Sequence, residues 1–379
     1  MSPHIPFNRS TLQGGEIAYI HEALASGQIS GDHQFSHRCE ELLEREVGSQ
    51  RALVTTSCTH ALEMAAMLLN IEPGDEVIVP SYTFVSTANA FARHGARPVF
   101  CDVRPDTLNL DEQALESLIT PATRAIVPVH YAGVGCEMDT IMAMANEREI
   151  AVVEDNAHGL FGTYKGQQLG SFGVLATQSF HETKNITCGE GGALLINDES
   201  LVKRAEILRE KGTDRSRFFR GEVDKYQWVD TGSSYVMSDV LAAFLYGQLE
   251  QHESIQARRG RLWRRYDEAL ADFAARLDIQ RPVVPEHCDS AYHMYHFVFP
   301  DPDMRTAFIA HLKAADIGSV FHYLPLHLTA FAEQWGGKIG DCPVTERVAD
   351  TLCRLPFYTS MSDLDQERVI DTILEFEPV

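Results

Sequence analysis

This chain has no apolar run approaching the ~20 residues that a bilayer-spanning helix needs, and its first residues lack the basic and apolar blocks of a secretory leader. Both absences point to a cytoplasmic protein. Positive charge is also scarce: 32 Lys and Arg stand against 54 Asp and Glu, a formal net charge of -22. Such a surface repels polyphosphate and anionic lipid, which argues against nucleic-acid and membrane partners. A small anionic ligand would need a local basic pocket. The eight cysteines, Cys39, Cys58, Cys101, Cys136, Cys188, Cys288, Cys342 and Cys353, contain no C-x-x-C pair. Reduced thiols, with neither a disulfide framework nor a metal site, are expected. Low-complexity tracts and internal repeats are missing too, and 44% of the residues are hydrophobic, as in an ordinary folded protein.

What remains is a long chain with alternating periodicity. At 379 residues it exceeds the usual single domain, so two packed domains are expected, 1–250 and 251–379. The spacing of apolar residues predicts helices over 14–25, 35–47, 59–69, 86–94, 112–119 and 141–148. Strands are expected at 52–55, 76–79, 98–102, 125–129, 151–154, 177–180 and 193–196. Helices between short Val- and Ile-rich strands imply crossover connections and a mostly parallel sheet, an α/β domain. A long helix over about 238–273 then leads to a smaller α/β unit, with strands at 293–299 and 319–323 and helices at 304–315 and 363–375.

The chemistry concentrates in Ser179-Phe180-His181-Glu182-Thr183-Lys184-Asn185, followed by Gly189-Glu190-Gly191-Gly192. This places one lysine in a polar turn between two strands, beside glycines that allow a planar ligand to approach the backbone. A lysine so placed can form a Schiff base and then move a proton as general base; taken alone it is also an ordinary surface lysine. Asp155 ends an apolar strand, either as a turn carboxylate or as the partner that keeps a pyridine nitrogen protonated. Ser57-Cys58-Thr59 opens a helix, where unsatisfied N–H groups favour a phosphate and where Ser or Thr also serves as a simple cap. Ser179 can join in holding a phosphate. Phe84 is a core aromatic or a stacking platform, and His158 a structural histidine or a cofactor contact. Arg215, Arg217, Arg220 and Lys225, interleaved with Phe218, Phe219, Tyr226 and Trp228, form either a solvated loop or the basic pocket that an anionic ligand demands.

Together with Pro73-Gly74-Asp75-Glu76-Val77-Ile78, Ser81-Tyr82-Thr83-Phe84, Pro128-Val129-His130-Tyr131, Glu154-Asp155 and His322-Tyr323-Leu324-Pro325-Leu326-His327, these motifs resemble the DegT/DnrJ/EryC1/StrS family of sugar aminotransferases over nearly the whole chain. The resemblance implies a pyridoxal-phosphate-dependent transferase of fold type I, the aspartate aminotransferase-like fold, in a homodimer with shared active sites. It implies that Lys184 carries the cofactor and Asp155 faces its ring nitrogen. Ser57, Cys58, Thr59 and Ser179 would hold the phosphate, Phe84 the ring face, and His158 would stand where many relatives have glutamine. Substrate contacts are expected at Arg215, Arg220, Lys225, Tyr226, His322 and Tyr323. The implied reaction moves an amino group from L-glutamate to C4 of a TDP-4-keto-6-deoxyhexose.

The chain departs from the family at Ser234 and Val236, where Asn and Arg are usual, which weakens the expected reach of residue 234 to a neighbouring subunit's phosphate. Three rivals stand against this reading. A sugar dehydratase of the same fold replaces the lysine by histidine, and Lys184 argues against it. A non-catalytic regulator lacks support, because the chain shows no basic recognition helix. Dinucleotide binding fails on spacing, since the glycine run is not G-x-G-x-x-G.

Overall fold

A computed structural model describes residues 4–378. The short apolar segments become strands of a central sheet: β1 (Arg51–Thr55), β2 (Glu76–Pro80), β3 (Arg97–Cys101), β4 (Thr123–Ile126) and β5 (Ala151–Asp155). After a small hairpin of β6 (Thr163–Tyr164) and β7 (Gln167–Gln168), β8 (Leu175–Ser179) and β9 (Gly192–Ile196) complete it. The seven strands lie in the order β1-β9-β8-β5-β4-β2-β3. β9 runs antiparallel to both its neighbours, and the other pairings of this sheet are parallel. The mostly parallel α/β sheet expected from the pattern is therefore present.

Helices cover both faces, and the alternation along each strand decides which. Helices α1 (Glu16–Ser26), α2 (Gln34–Val47), α3 (Cys58–Leu68), α4 (Val85–Ala92), α5 (Leu115–Leu118), α6 (Met138–Glu147), α7 (Val202–Arg209) and α8 (Arg215–Phe219) are followed by α9 (Asp239–Leu249). Leu53, Leu194 and Ile196 turn toward a core shared with Leu62, Ala65 and Leu208 of α3 and α7. Ala52, Val54 and Leu195 turn the other way, toward Leu42, Leu43, Ala242 and Leu245 of α2 and α9. Neighbouring strand residues thus serve opposite layers, as strand geometry requires.

A separate apolar cluster gathers Leu262, Tyr266, Phe297, Phe308, Cys353, Val369 and Ile373 with Ile5 from the start of the chain. It packs α10 (His252–Ala269), α11 (Ala271–Arg276), α12 (Pro302–Ala314) and α14 (Asp363–Leu374) around the antiparallel pair β11 (His296–Val298) and β12 (Leu352–Arg354). Between them in the chain lie β10 (Cys288–Asp289), which joins the small hairpin, and α13 (Pro343–Thr351).

Several elements differ from expectation. The helix over 238–273 is three helices, interrupted at Gln251 and Leu270. α9 is buried against the large sheet, whereas α10 joins that core through Ile255 and places Leu262 and Tyr266 in a second apolar cluster. The strand at 319–323 reduces to a single bridge, Val320 to Arg354, because the residues after it leave the sheet for a cavity. The strand at 293–299 shortens to β11 for the same reason, and the helix at 112–119 starts only at Leu115, after a turn in which Ala114 N donates to Asp111 O, and ends at Leu118 ahead of Pro121. The eight cysteines are free, and among the described residues no helix is long and apolar enough to cross a membrane.

Candidate active site

The turn that joins β8 to β9 is tied from several sides. Glu182 N donates to Gly189 O at 2.8 Å and Lys184 N to His181 O at 2.9 Å. Asn185 Nδ2 donates to Ala291 O at 2.6 Å, and the chain's first segment reaches in through Asn8 Nδ2, which donates to Glu182 O at 3.2 Å. These bonds hold the Lys184 backbone at the wall of a cavity of ≈ 530 Å³. Burial lowers the Lys184 amine to about 8, helped by the Arg354 guanidinium and opposed by Asp155 and Cys58. A larger fraction of this amine is neutral near pH 7 than for an ordinary lysine, which suits a nucleophile.

Asp155 enters the same cavity from the C-terminal end of β5. Crevices outside strand C-termini are where open α/β sheets bind ligands. Thr87 Oγ1 donates to Asp155 Oδ2 at 2.7 Å and Ala157 N to Oδ1 at 3.2 Å, yet burial still raises its pKa. A cationic N–H in the cavity would offset that cost. Glu154, one residue earlier, points to the other face. It accepts from Gly170 N, Phe172 N and Gly173 N at 2.7 to 2.8 Å and lies 2.9 Å from His130 Nε2. That carboxylate is fully engaged within the fold.

The opposite wall is the start of α3. Ser57 Oγ accepts from His60 N at 3.1 Å, so its hydroxyl caps the helix, while Cys58 and Thr59 line the cavity. Gly192 makes this approach possible: a Cβ there would sit 2.3 Å from Cys58 N and Ser57 C. Ser179, at the end of β8, also lines the cavity, and Phe84, at the start of α4, presents an exposed ring to it.

Histidines and tyrosines close the far side. The His158 ring stacks on His293 at 4.1 Å, and its Nε2 lies 3.3 Å from Tyr323 Oη. His322 stacks on Tyr323 at 3.6 Å and bonds Tyr131 Oη through Nδ1 at 2.8 Å. Burial holds His158, His293 and His322 well below the usual imidazole range, so all three are neutral at pH 7. His158 Nδ1 is buried without a hydrogen-bond partner, a condition that a polar ligand atom would relieve.

Thus Lys184, Asp155, His158, Ser179, Ser57, Cys58, Thr59, Phe84, His322 and Tyr323 share one cavity. Arg215, Arg220, Lys225, Tyr226 and Ser234 do not line it in the single chain. Arg220 Nη1 pairs with Glu206 at 2.8 Å and its Nε with Glu222 at 2.7 Å, and Arg215 lies over the Phe219 ring and 4.0 Å from Glu210. Lys225 and Tyr226 are exposed, and Ser234 sits at an exposed bridge to Glu210. The cavity also contains Thr87, His293 and Arg354, which the sequence reading did not single out. Only the four-residue spacing of Thr83 and Thr87 and the crowding of histidines at 293 and 296 hinted at them. One group of metal-ligating types, Asp32, His37 and Glu40, lies elsewhere, and Arg209 occupies both its carboxylates at 2.5 Å.

The family model described as the DegT/DnrJ/EryC1/StrS aminotransferase family matches residues 11–374. The chain belongs to this family. It is 36% identical to the uncharacterized protein MJ1066 of Methanocaldococcus jannaschii, over 97% of this chain and 96% of that one. It is 34% identical to the spore coat polysaccharide biosynthesis protein SpsC of Bacillus subtilis, over 97% and 96%. The PLP form of the putative sugar aminotransferase Spr1654 of Streptococcus pneumoniae superposes with a TM-score of 0.90 at 29% identity, covering 98% of each chain. The chain is accordingly a pyridoxal-phosphate-dependent aminotransferase of the family's fold. The cavity fits that cofactor on its own terms. It holds one buried lysine amine, a buried carboxylate that makes no ion pair within 4 Å among the described residues, a helix start kept open by Gly192 and an unsatisfied histidine nitrogen.

Proposed function

We propose that this enzyme moves an amino group from L-glutamate to C4 of a TDP-4-keto-6-deoxyhexose, giving a TDP-4-amino-4,6-dideoxyhexose and 2-oxoglutarate. The observation that carries this reading is the Lys184 amine, lowered to about 8 by burial, in one cavity with Asp155 and the α3 start. Pyridoxal phosphate, when bound, supplies an electron-accepting ring for the carbanion formed at the reacting carbon. Lys184 would hold the cofactor, and its amine can take and return the proton at the reacting carbon. Asp155, kept in place by Thr87, stabilises positive charge on the ring nitrogen. The Cys58 and Thr59 amides and the Ser179 hydroxyl hold the phosphate, with Ser57 ordering the helix start. Phe84 would cover one face of the cofactor, and the unpartnered His158 Nδ1 would meet one of its polar atoms. His322 and Tyr323 form the sugar side of the cavity.

In this reading residues 1–250 form the cofactor-binding domain and 251–379 the small one, with residues 1–3 and 379 outside the described residues. A homodimer, working in the cytoplasm, brings Ser234 and the segment with Arg215, Arg220, Lys225 and Tyr226 to the neighbouring cavity. Their separation from the cavity in one chain, and the exposure of Phe219 and Trp228, support that arrangement. The relative named for spore coat polysaccharide biosynthesis supports sugar chemistry. Retention of lysine at 184 favours amination over dehydration. Incubation with TDP-4-keto-6-deoxyglucose and L-glutamate, followed by NMR of the product, tests the proposal. An amine at C4 is expected, in either axial or equatorial orientation, and a deoxygenated or unchanged sugar would sink the reading.

A further inference from the structure

The segment before α1 is a strap pinned at several points. Ile5 bridges Ile317 and packs among the apolar residues around β11 and β12. Phe7 O accepts from Phe357 N at 3.1 Å, and the Phe7 ring lies under the Arg354 guanidinium at 4.7 Å. Farther along, Thr11 Oγ1 donates to Ser360 Oγ at 2.7 Å, and Thr11 O accepts from Gln248 Nε2 of α9 at 2.9 Å. Between these anchors Phe7 and Asn8 line the cavity.

The half-buried Asn8 side chain is fixed at one end only. Its Nδ2 donates at 3.2 Å to the carbonyl of Glu182, two residues before Lys184. A carbonyl can only accept, so the orientation of the amide is settled and Oδ1 is its other end. That atom takes no hydrogen bond among the described residues. Ser10 Oγ donates to the same Glu182 carbonyl at 3.3 Å, so the turn does not depend on Asn8 alone. Oδ1 is a neutral acceptor, and carboxylate and diphosphate, being acceptors too, cannot partner it. It calls for an O–H or N–H group. L-glutamate offers only the amine, which the reaction itself consumes. In a 4-keto-6-deoxyhexose, C5 beside the ketone carries the methyl carbon and the ring oxygen, whereas C3 carries a hydroxyl.

We propose that Asn8 Oδ1 accepts a hydrogen bond from the C3 hydroxyl of the keto sugar and so selects 3-hydroxy over 3-deoxy substrates. The proposal rests on the sugar-aminotransferase reading and adds to it the residue that reads the position next to the reacting carbon. The bond to Glu182 O keeps Asn8 beside the Lys184 turn, and the strap holds its acceptor in place before substrate arrives, which lowers the ordering cost of the contact. A sugar without the hydroxyl leaves that acceptor unpaired, and this is how a site built to bond a hydroxyl rejects the analogue lacking it.

Holoenzymes of the wild type, Asn8→Ala and Ser10→Ala provide the test, with L-glutamate as donor and either TDP-4-keto-6-deoxyglucose or its 3-deoxy counterpart as acceptor. The wild type should favour the 3-hydroxy sugar in kcat/KM by roughly 5- to 10-fold, the worth of one neutral hydrogen bond. Asn8→Ala should lose that preference by becoming slower with the 3-hydroxy sugar only, and its bleaching by L-glutamate should match the wild type. Ser10→Ala, which removes the other donor to Glu182 O, should keep the preference. As a readout apart from turnover, the aminated 3-hydroxy product should raise the Tm of the wild type more than its 3-deoxy counterpart, and the two should act alike on Asn8→Ala. A wild type without preference would overturn the proposal whatever the variants do. Equal losses with both sugars in Asn8→Ala would also overturn it, since the residue would then only support the turn, as would a loss confined to glutamate. A wild type that bleaches with glutamate and aminates neither sugar would instead overturn the reading on which the proposal rests.

Discussion

Two segments of this chain, 180–191 and 213–228, each set cations among aromatics and small polar residues, and they end in opposite electrostatic states. In the first, Lys184 faces a cavity and desolvation brings its amine down to about 8. In the second, each arginine has a carboxylate nearby: Arg215 has Glu210, Arg217 has Glu222, and Arg220 has both Glu206 and Glu222. The paired arginines are ordinary surface cations unless a ligand or a second copy displaces those partners. The difference teaches that residue type and spacing do not mark a site; a buried cation on a cavity wall that makes no ion pair within 4 Å among the described residues does. Arg354 belongs with Lys184 by that criterion.

The comparison can be broken most directly at Lys184. Lys184→Ala should lower turnover by about 10³-fold or more, as expected when a nucleophile and proton carrier are removed together, while the far-UV spectrum stays unchanged. Normal turnover by that variant would end the distinction between the two segments. A sharper contrast lies within β5. Asp155→Asn should cut kcat on the order of 10²-fold at nearly unchanged stability. Glu154→Gln should instead cost about 2–4 kcal/mol in urea unfolding, since it leaves three backbone donors with a weaker acceptor in a buried site. Reversal of these two outcomes would exchange the roles of the carboxylates.

A pH series sharpens the account of the lysine itself. The amine attacks only when neutral, so the rate at which cofactor-free protein takes up pyridoxal phosphate should rise with pH and level off above about 8. An ordinary lysine would keep rising toward ~10.4. Arg354→Gln removes a cation that favours the neutral amine, so its plateau should move to higher pH. The smallest effect concerns the second segment. Arg220→Glu should raise the KM for the nucleotide sugar roughly tenfold with cofactor content unchanged, if a second copy presents that residue to the cavity. An unchanged KM would leave residues 213–228 as a solvated surface.

Much of this site was legible because its parts are local. A lysine between two strands, an aspartate at a strand end and a serine before a helix declare themselves through their immediate neighbours, and all line the same cavity. Thr87 did not, since its meaning comes from Asp155, 68 residues away. His293 acquires its role from His158 and Asn185, and Arg354 from Phe7, Phe321 and the lack of an acid, none of which spacing reports. The α/β pattern was legible for the same local reason, through Val- and Ile-rich strands buried on both faces. The breaks in the 238–273 helix were not, because each piece keeps a helical period and the interruptions at Gln251 and Leu270 carry no Pro or Gly to mark them.

The central claim is that Lys184 carries the cofactor. Borohydride reduction of the holoenzyme, followed by digestion and mass spectrometry, tests it directly. The account predicts a reduced pyridoxyl group on the peptide containing Lys184 and its loss in Lys184→Ala. The group on another lysine, or no covalent attachment in a protein that turns over, would contradict it.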